Sequence, residues 1–307
     1  IGGSTWSTKT ISIATQAGIL KDVNTTITAD CPRQWAAQIM YNAIQAPTVE
    51  WSTDSNSYSK YFEDGNERDS VGREYLDLYT NIGTLVTIER DTLTITMSAD
   101  DQKDSDTTAK YFTKLAKDYS DLLGQRVKVL FTDEKTNQVV GVYAVEDNTV
   151  VTANQNAIEI DTGKLKIDGV KYTLEDNGVA TYIDGDQTDK DYKAGDFKAD
   201  QSANVITFID SDENGKIDKA YIKTYEVKKV TYVSSSQIIA GGKSYQADEE
   251  NIDENLVKDD WAIITHNLYG DNLDIVKADV ATGKVNATKD KSGWKQFQID
   301  ETWYNET

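Results

Sequence analysis

After Glu74 the apolar and β-branched residues recur with a period of two, and this alternation restrains the fold more than any other feature of the chain. The runs are Tyr75-Leu-Asp-Leu-Tyr, Thr84-Leu-Val-Thr-Ile, Thr92-Leu-Thr-Ile-Thr-Met, Val127-Lys-Val-Leu-Phe and Val139-Val-Gly-Val-Tyr-Ala-Val, each bounded by turn formers. Successive side chains of a strand point to opposite faces, so such runs bury one face and wet the other, as a sheet or small barrel does. One stretch departs from the pattern. Between Thr107 and Leu123, the residues Tyr111, Leu115, Tyr119 and Leu122 fall at helical spacing, which predicts a helix packed on or capping the sheet.

A weak repeat runs through this β part. Val127 to Tyr143, Val205 to Tyr221 and Trp261 to Lys277 each read as strand, polar turn, strand. A further β-rich stretch comes after each copy, at Thr149-Val-Val-Thr-Ala, Val227-Lys-Lys-Val-Thr-Tyr-Val and Lys284-Val-Asn-Ala-Thr. Recurring hairpins of this kind predict serial small modules.

The chain opens differently. From Trp6 to Ala46 the apolar spacing predicts two short helices joined by a loop, with Ile11, Ala14, Gly18 and Ile19 in the first and Trp35, Ile39, Tyr41, Ala43 and Ile44 in the second. Asp30 or Cys31 can cap the second helix, Pro32 suits its first turn, and Pro47 comes just after its end. Polar residues with scattered aromatics between Trp51 and Arg73 read as a linker. The expected fold is mixed and mainly β: a short helical segment over residues 1–47, a linker over 48–73, and β-sandwich or barrel-like domains over 74–155, 156–250 and 251–307, with an occasional helix.

Composition narrows the function. Asp and Glu number 52 against 32 Lys and Arg, a formal charge of −20, which repels phosphate backbones and anionic lipid and so speaks against nucleic acid as a partner. Copies also repel one another, so close self-packing requires divalent cations, salt or strong shape complementarity. No apolar run reaches 18 residues, which excludes a membrane-spanning helix. The chain begins with Ile1 rather than Met, which is the expectation for a processed or partial product.

Few side chains offer chemistry. The single cysteine, Cys31, forms no internal disulfide and reads as a buried small hydrophobe, while the single histidine, His266, reads as exposed in a hairpin turn. With so few nucleophiles and general bases, an enzyme is not expected. The acid pairs Asp100-Asp101, Asp248-Glu249-Glu250 and Asp259-Asp260 match the residue types of glycoside hydrolysis, but runs of this kind are the ordinary charge of solvated loops. Aromatics at strand positions, abundant among the 17 tyrosines, are normally core residues or cross-strand pairs. The segment Asp210-Ser-Asp-Glu-Asn-Gly-Lys-Ile-Asp carries oxygen ligands at its first, third, fifth and ninth positions (Asp210, Asp212, Asn214, Asp218) and Gly215 at the sixth, as the start of an EF-hand-type loop does. Its twelfth position is Tyr221 rather than glutamate, and its flanks read as strands. A plain acidic turn and a calcium loop both fit, and calcium is the one cofactor the sequence suggests.

Trp6, Ile11, Ala14, Gly18-Ile19, Arg33 and the run Ala36-Ala37-Gln38-Ile39-Met40-Tyr41-Asn42-Ala43-Ile44 resemble the surface-layer homology module, over about the first 46 residues. Asp121-Leu-Leu-Gly-Gln-Arg-Val-Lys-Val-Leu and Gly241-Gly-Lys-Ser-Tyr are similar to the segments that trail that anchor in clostridial and related S-layer proteins. The resemblance implies attachment to a pyruvylated secondary wall polysaccharide, with Arg33 at the position of the family's glycan-binding arginine and Trp6 as a second glycan residue. Pro32 stands where the family has threonine, and Trp35 where it has glutamate. The function it implies is a non-enzymatic, extracellular structural protein that assembles with copies of itself on the cell wall; the alternative is an anchored adhesin or carbohydrate-binding protein.

Overall fold

The structure, a computed structural model, describes residues 5–24, 31–60, 62–63, 66–67, 70–97, 109–132, 136–145, 148–199, 202–291 and 294–305. As expected, the fold is mainly β with few helices. The chain divides into two compact units, residues 1–80 with 130–140, and residues 81–129 with 141–307.

In the first unit, helix α1 spans Trp6–Gln16 and α2 spans Arg33–Gln45. Gly18 ends α1 with φ +75°, so that Ile19 N–H donates to Ala14 and Gly18 N–H to Thr15. That pair of bonds is a glycine-dependent helix stop, so Gly18 and Ile19 lie beyond α1 rather than within it as their spacing predicts. Asn42 of α2 donates to the carbonyls of Ile19 (3.0 Å) and Lys21 (2.8 Å), tying α2 to the turn beyond α1. The start of α2 differs from expectation. Pro32 is the cap residue itself, in extended conformation, and no side chain caps the helix. Ala46 turns extended ahead of Pro47, as a residue before proline must. The stretch read as a linker contains a hairpin of β1 (Val49–Ser52) and β2 (Ser57–Lys60), then the two-residue strands β3 (Phe62–Glu63) and β4 (Asn66–Glu67).

Tyr75 to Tyr79 does not form the strand its alternation predicts. Helix α3 occupies Val71–Leu76, because Ser70 Oγ accepts from Arg73 N–H and starts a helical turn, and Asp77 at φ +53° stops it. The strand β5 begins only at Tyr79 and runs to Glu89. With β6 (Thr92–Thr96), β7 (Ala109–Thr113), β8 (Arg126–Thr132) and β9 (Gln138–Ala144) it forms a closed barrel in the order β5-β6-β7-β9-β8. Strand β8 alternates buried and half-buried residues without exception, as its sequence dictates. The helix expected over Thr107 to Leu123 is absent: β7 pairs with β6, and the chain beyond β7 is irregular apart from one 3-10 turn at Ser120–Leu122. Phe112, fully buried, takes the core position, while Tyr111 is 67% exposed. Pairing with an existing strand outweighed a local helical spacing.

The next module has two sheets. One runs β10 (Thr149–Asn154), β16 (Val205–Asp210), β18 (Lys219–Lys223), β14 (Ala180–Ile183) and β15 (Asp186–Gln187). The other runs β11 (Glu159–Asp161), β12 (Lys164–Ile167), β13 (Val170–Leu174) and β17 (Lys216–Ile217). Leu165 and Ile167 of one sheet share a core with Ile206 and Phe208 of the other, and Phe197 meets Phe208 edge-on at 5.1 Å. The last module is a six-stranded sheet ordered β21 (Lys243–Gln246), β20 (Gln237–Ala240), β19 (Glu226–Val233), β23 (Trp261–Asn267), β24 (Asn272–Lys277) and β22 (Asn251–Ile252), over a core of Val230, Ile238, Tyr245, Leu256, Ile264 and Ile275. Gly241 and Gly242, both at positive φ, make the tight β20–β21 turn. A three-stranded sheet of β25 (Val285–Lys291), β26 (Trp294–Ile299) and β27 (Thr302–Asn305) closes the described chain. The strand pairs expected at Val205 to Tyr221 and Trp261 to Lys277 are antiparallel neighbours, β16 with β18 and β23 with β24. Those of Val127 to Tyr143 are the adjacent barrel strands β8 and β9.

Candidate functional site

Arg33 is the first residue of α2 and is exposed; Trp6 is the first residue of α1, and its side chain lies outside the described residues. Cys31 is exposed rather than buried, since it precedes α2 on the chain's surface and has no core to enter. His266 sits on strand β23 opposite Leu273, not in the turn, because the turn shortens to Leu268–Asp271. Its side chain is 29% exposed, with Nε2 3.6 Å from Asp271 Oδ1 and Nδ1 buried without a partner.

The acid runs hold turns. Asp260 accepts from Val257 N–H at 2.9 Å and pairs with Lys277 at 2.8 Å, Asp259 pairs with Lys229, and Glu250 accepts from Leu273 N–H. Asp100 and Asp101 lie outside the described residues. One tyrosine pair stands as expected, Tyr182 and Tyr221, which lie opposite one another on β14 and β18 and stack at 4.6 Å and 4°, whereas Tyr111 and Tyr232 are exposed. Burial pushes the phenols of Tyr182 and Tyr221 above their usual range, helped at Tyr221 by the neighbouring Tyr182 and Asp218.

The acidic segment after β16 is a turn between strands. Asp210 is 3% exposed; its Oδ2 accepts from Gly215 N–H at 2.9 Å, and its Oδ1 is buried without a partner. Gly215 stands at φ +82°, which a side chain disfavours. Asp218 is taken up by Ser211, accepting from its N–H and its hydroxyl at 2.7 Å each, and by Lys219 at 2.7 Å. Asn214 Nδ2 donates to Asp212 Oδ2 (3.0 Å) and to Glu175 Oε1 (2.7 Å). Glu175 comes directly after β13 and reaches the turn because β13 and β17 pair in parallel, a contact that no local spacing reveals. Among the described residues, no three His, Cys, Asp or Glu side chains are arranged as a ready metal site.

A cleft of about 360 Å³ lies within the second unit. Four carboxylates line it (Asp118, Asp121, Asp184, Asp274) against one ammonium, Lys223, and Tyr221, Tyr225 and His266 add ring surface. Asp118 and Asp184 also serve the backbone there, accepting from Ser120 N–H and Thr224 N–H.

The outward face of the six-stranded sheet carries an apolar row. Val227, Ile263 and Val276 stand opposite one another on β19, β23 and β24, and Trp261 lies two residues along the same face. Val227, Val276 and Trp261 are 43%, 43% and 45% exposed. The β25–β27 sheet contains no buried side chain among its described residues, and Val285 and Tyr304 are exposed. Among the described residues no helix is long and apolar enough to cross a membrane. Compared with known proteins, the chain matches no protein-family model and no curated protein.

Proposed function

We propose that the chain is a structural cell-surface protein of the S-layer type: extracellular, without enzymatic activity, held to wall polysaccharide by its helical segment, and assembling with copies of itself through its β modules. The observation that carries this reading is the apolar row Val227, Ile263, Val276 with Trp261 on the outer face of a sheet whose other face already has its core. Wetting such a row is costly, at about 1.5–3 kcal/mol for each large apolar side chain left exposed rather than buried, and contiguous exposed apolar surface marks an interaction face. The open edges of successive sheets, β10 among them, add unpaired backbone groups that a neighbouring copy can extend. At −20 the chain is held apart from its copies until salt or divalent cations screen it, so assembly depends on the ionic medium.

Electron microscopy of concentrated protein, with and without chelator, tests the assembly. Ordered sheets, tubes or fibres are expected, with Val276→Asp abolishing them; protein that stays dispersed at high concentration refutes the reading. Retention on isolated wall polysaccharide, lost in Arg33→Ala, tests the anchor. The acidic, tyrosine-lined cleft favours a second reading, an anchored adhesin or carbohydrate-binding protein. In that case the protein captures a foreign ligand while remaining monomeric.

A further inference from the structure

We infer that Asn177 is a site of spontaneous covalent modification, converting to aspartate and isoaspartate through a cyclic imide, while the fold shields the chain's other Asn-Gly pair from the same reaction. The inference goes beyond the assembly reading and stands without it.

Asparagine followed by glycine is the pair best suited to this chemistry, because glycine has no Cβ to obstruct the approach of its own nitrogen to the preceding side chain. The chain has two such pairs, Asn177-Gly178 and Asn214-Gly215. The step needs no co-reactant but water. The Gly178 nitrogen attacks Asn177 Cγ, a new N–Cγ bond replaces the Cγ–Nδ2 bond, and the amide proton passes through water to the departing nitrogen, which leaves as ammonia. Water then opens the imide at Cγ to give aspartate, or at the backbone carbonyl to give isoaspartate. Nothing is oxidised or reduced.

The two pairs differ in what holds them. Asn177 is exposed in the connection between β13 and β14, and among the described residues its side-chain amide has no hydrogen-bond partner. Gly178 N–H donates to a neutral group, the Glu175 carbonyl, at 3.0 Å. Glycine is required there, since φ is +113° and an added Cβ would fall 2.8 Å from the Cβ of Asp191. The Asn214 amide is pinned at both of its polar atoms. Its Nδ2 donates to Glu175 Oε1 at 2.7 Å and to Asp212 Oδ2 at 3.0 Å, and its Oδ1 accepts from Lys216 N–H at 2.8 Å. Ring closure has to break these bonds, and the two to carboxylates are of the stronger, charge-assisted kind. Gly215 N–H donates to the carboxylate of Asp210, which is 3% exposed, so loss of that proton would set a nitrogen anion against a buried acid. The product is disfavoured as well, because a carboxylate formed at position 214 would join Asp212 and Glu175 as a third like charge. At Asn177 the new carboxylate would be exposed, in a turn where Lys193 already donates to the Asp176 carbonyl (2.8 Å) and Lys216 to its carboxylate (3.1 Å). Isoaspartate there adds one backbone atom to the link that crosses from one sheet of the module to the other.

Peptide mapping by mass spectrometry, on the full chain aged in warm, mildly alkaline buffer, tests the assignment, and labelling by an isoaspartyl methyltransferase gives a second readout. In the folded chain, conversion at Asn177 should lead that at Asn214 by about tenfold or more, the factor that one hydrogen bond to a charged group contributes. In urea, where both pairs are released, the two rates should converge. Asp212→Ala combined with Glu175→Ala, both outside the core, should raise the Asn214 rate towards its value in urea while Asn177 keeps its own. A lead below about tenfold in the folded chain overturns the proposal. So does a lead that persists in urea, which would put its cause in the local sequence, or an Asn214 rate that the double variant leaves unmoved. None of these readings depends on whether copies of the chain assemble.

Discussion

Truncating Phe208 to alanine isolates what holds the two-sheet module together. Phe208 is fully buried and its ring meets Phe197 edge-on at 5.1 Å and 78°. Removing a buried phenylalanine costs about 3–5 kcal/mol, of which the aromatic pair accounts for about 0.5–1.5 kcal/mol. At an RT of about 0.59 kcal/mol, that loss multiplies the open population of the module by roughly 160 to 5,000. Tryptophan fluorescence is blind to the change, because the six tryptophans (Trp6, Trp35, Trp51, Trp261, Trp294, Trp303) all lie outside residues 149–223. Native-state hydrogen exchange read by mass spectrometry is the suitable assay. Amides of β16 and β18 should exchange about two to nearly four orders of magnitude faster, while β23 and β24, whose core excludes Phe208, keep their protection. Acceleration below about tenfold, or equal acceleration in β23 and β24, would refute a separate core centred on this ring.

Other perturbations are as direct. Gly124, at φ +78°, has no room for a side chain, since an added Cβ would fall 2.2 Å from the Tyr221 ring; Gly124→Ala should cost about 1–3 kcal/mol in urea unfolding. Asn42→Ala removes both bonds to the turn after α1, a loss of about 1–3 kcal/mol visible as a lower melting point of the helical circular dichroism signal. Asp196 is held below its usual 3.8 chiefly by Lys193 N–H, Asp253 by Asn255 N–H, and Asp260 by the Lys277 ammonium. A carboxyl with a lowered folded pKa stabilises the fold above its unfolded value and ceases to as pH falls through the folded one. The urea midpoint contributed by these groups should therefore hold above about pH 5 and drop below 3.8, and Asp253→Asn should flatten that drop.

Much of this architecture is legible from sequence because its causes are local. Strand β8 obeys its alternation residue by residue, and the hairpin pattern at Val205 and Trp261 appears as paired strands. Legibility fails where two local signals compete or where the cause is distant. At Tyr75 a serine cap five residues earlier wins over alternation. Around Phe112 the edge of β6 decides, and Lys114 at φ +59° would have broken any helix there. The acidic turn is half legible: Asp210 and Gly215 are set by spacing, whereas Glu175 comes from 35 residues before Asp210 through a two-residue parallel pairing. Nothing in the local sequence advertises that approach.

The order of strands in the two-sheet module also decides how it answers tension. The chain enters at Thr149, the start of β10, and leaves at Lys223, the end of β18, and both strands run antiparallel to β16 between them. A pull on the two ends therefore drags β10 and β18 in opposite directions along their own axes. The six residue pairs of β10 with β16 and the five of β16 with β18 are loaded together in shear instead of being unzipped one after another. That geometry makes this module a mechanically resistant link.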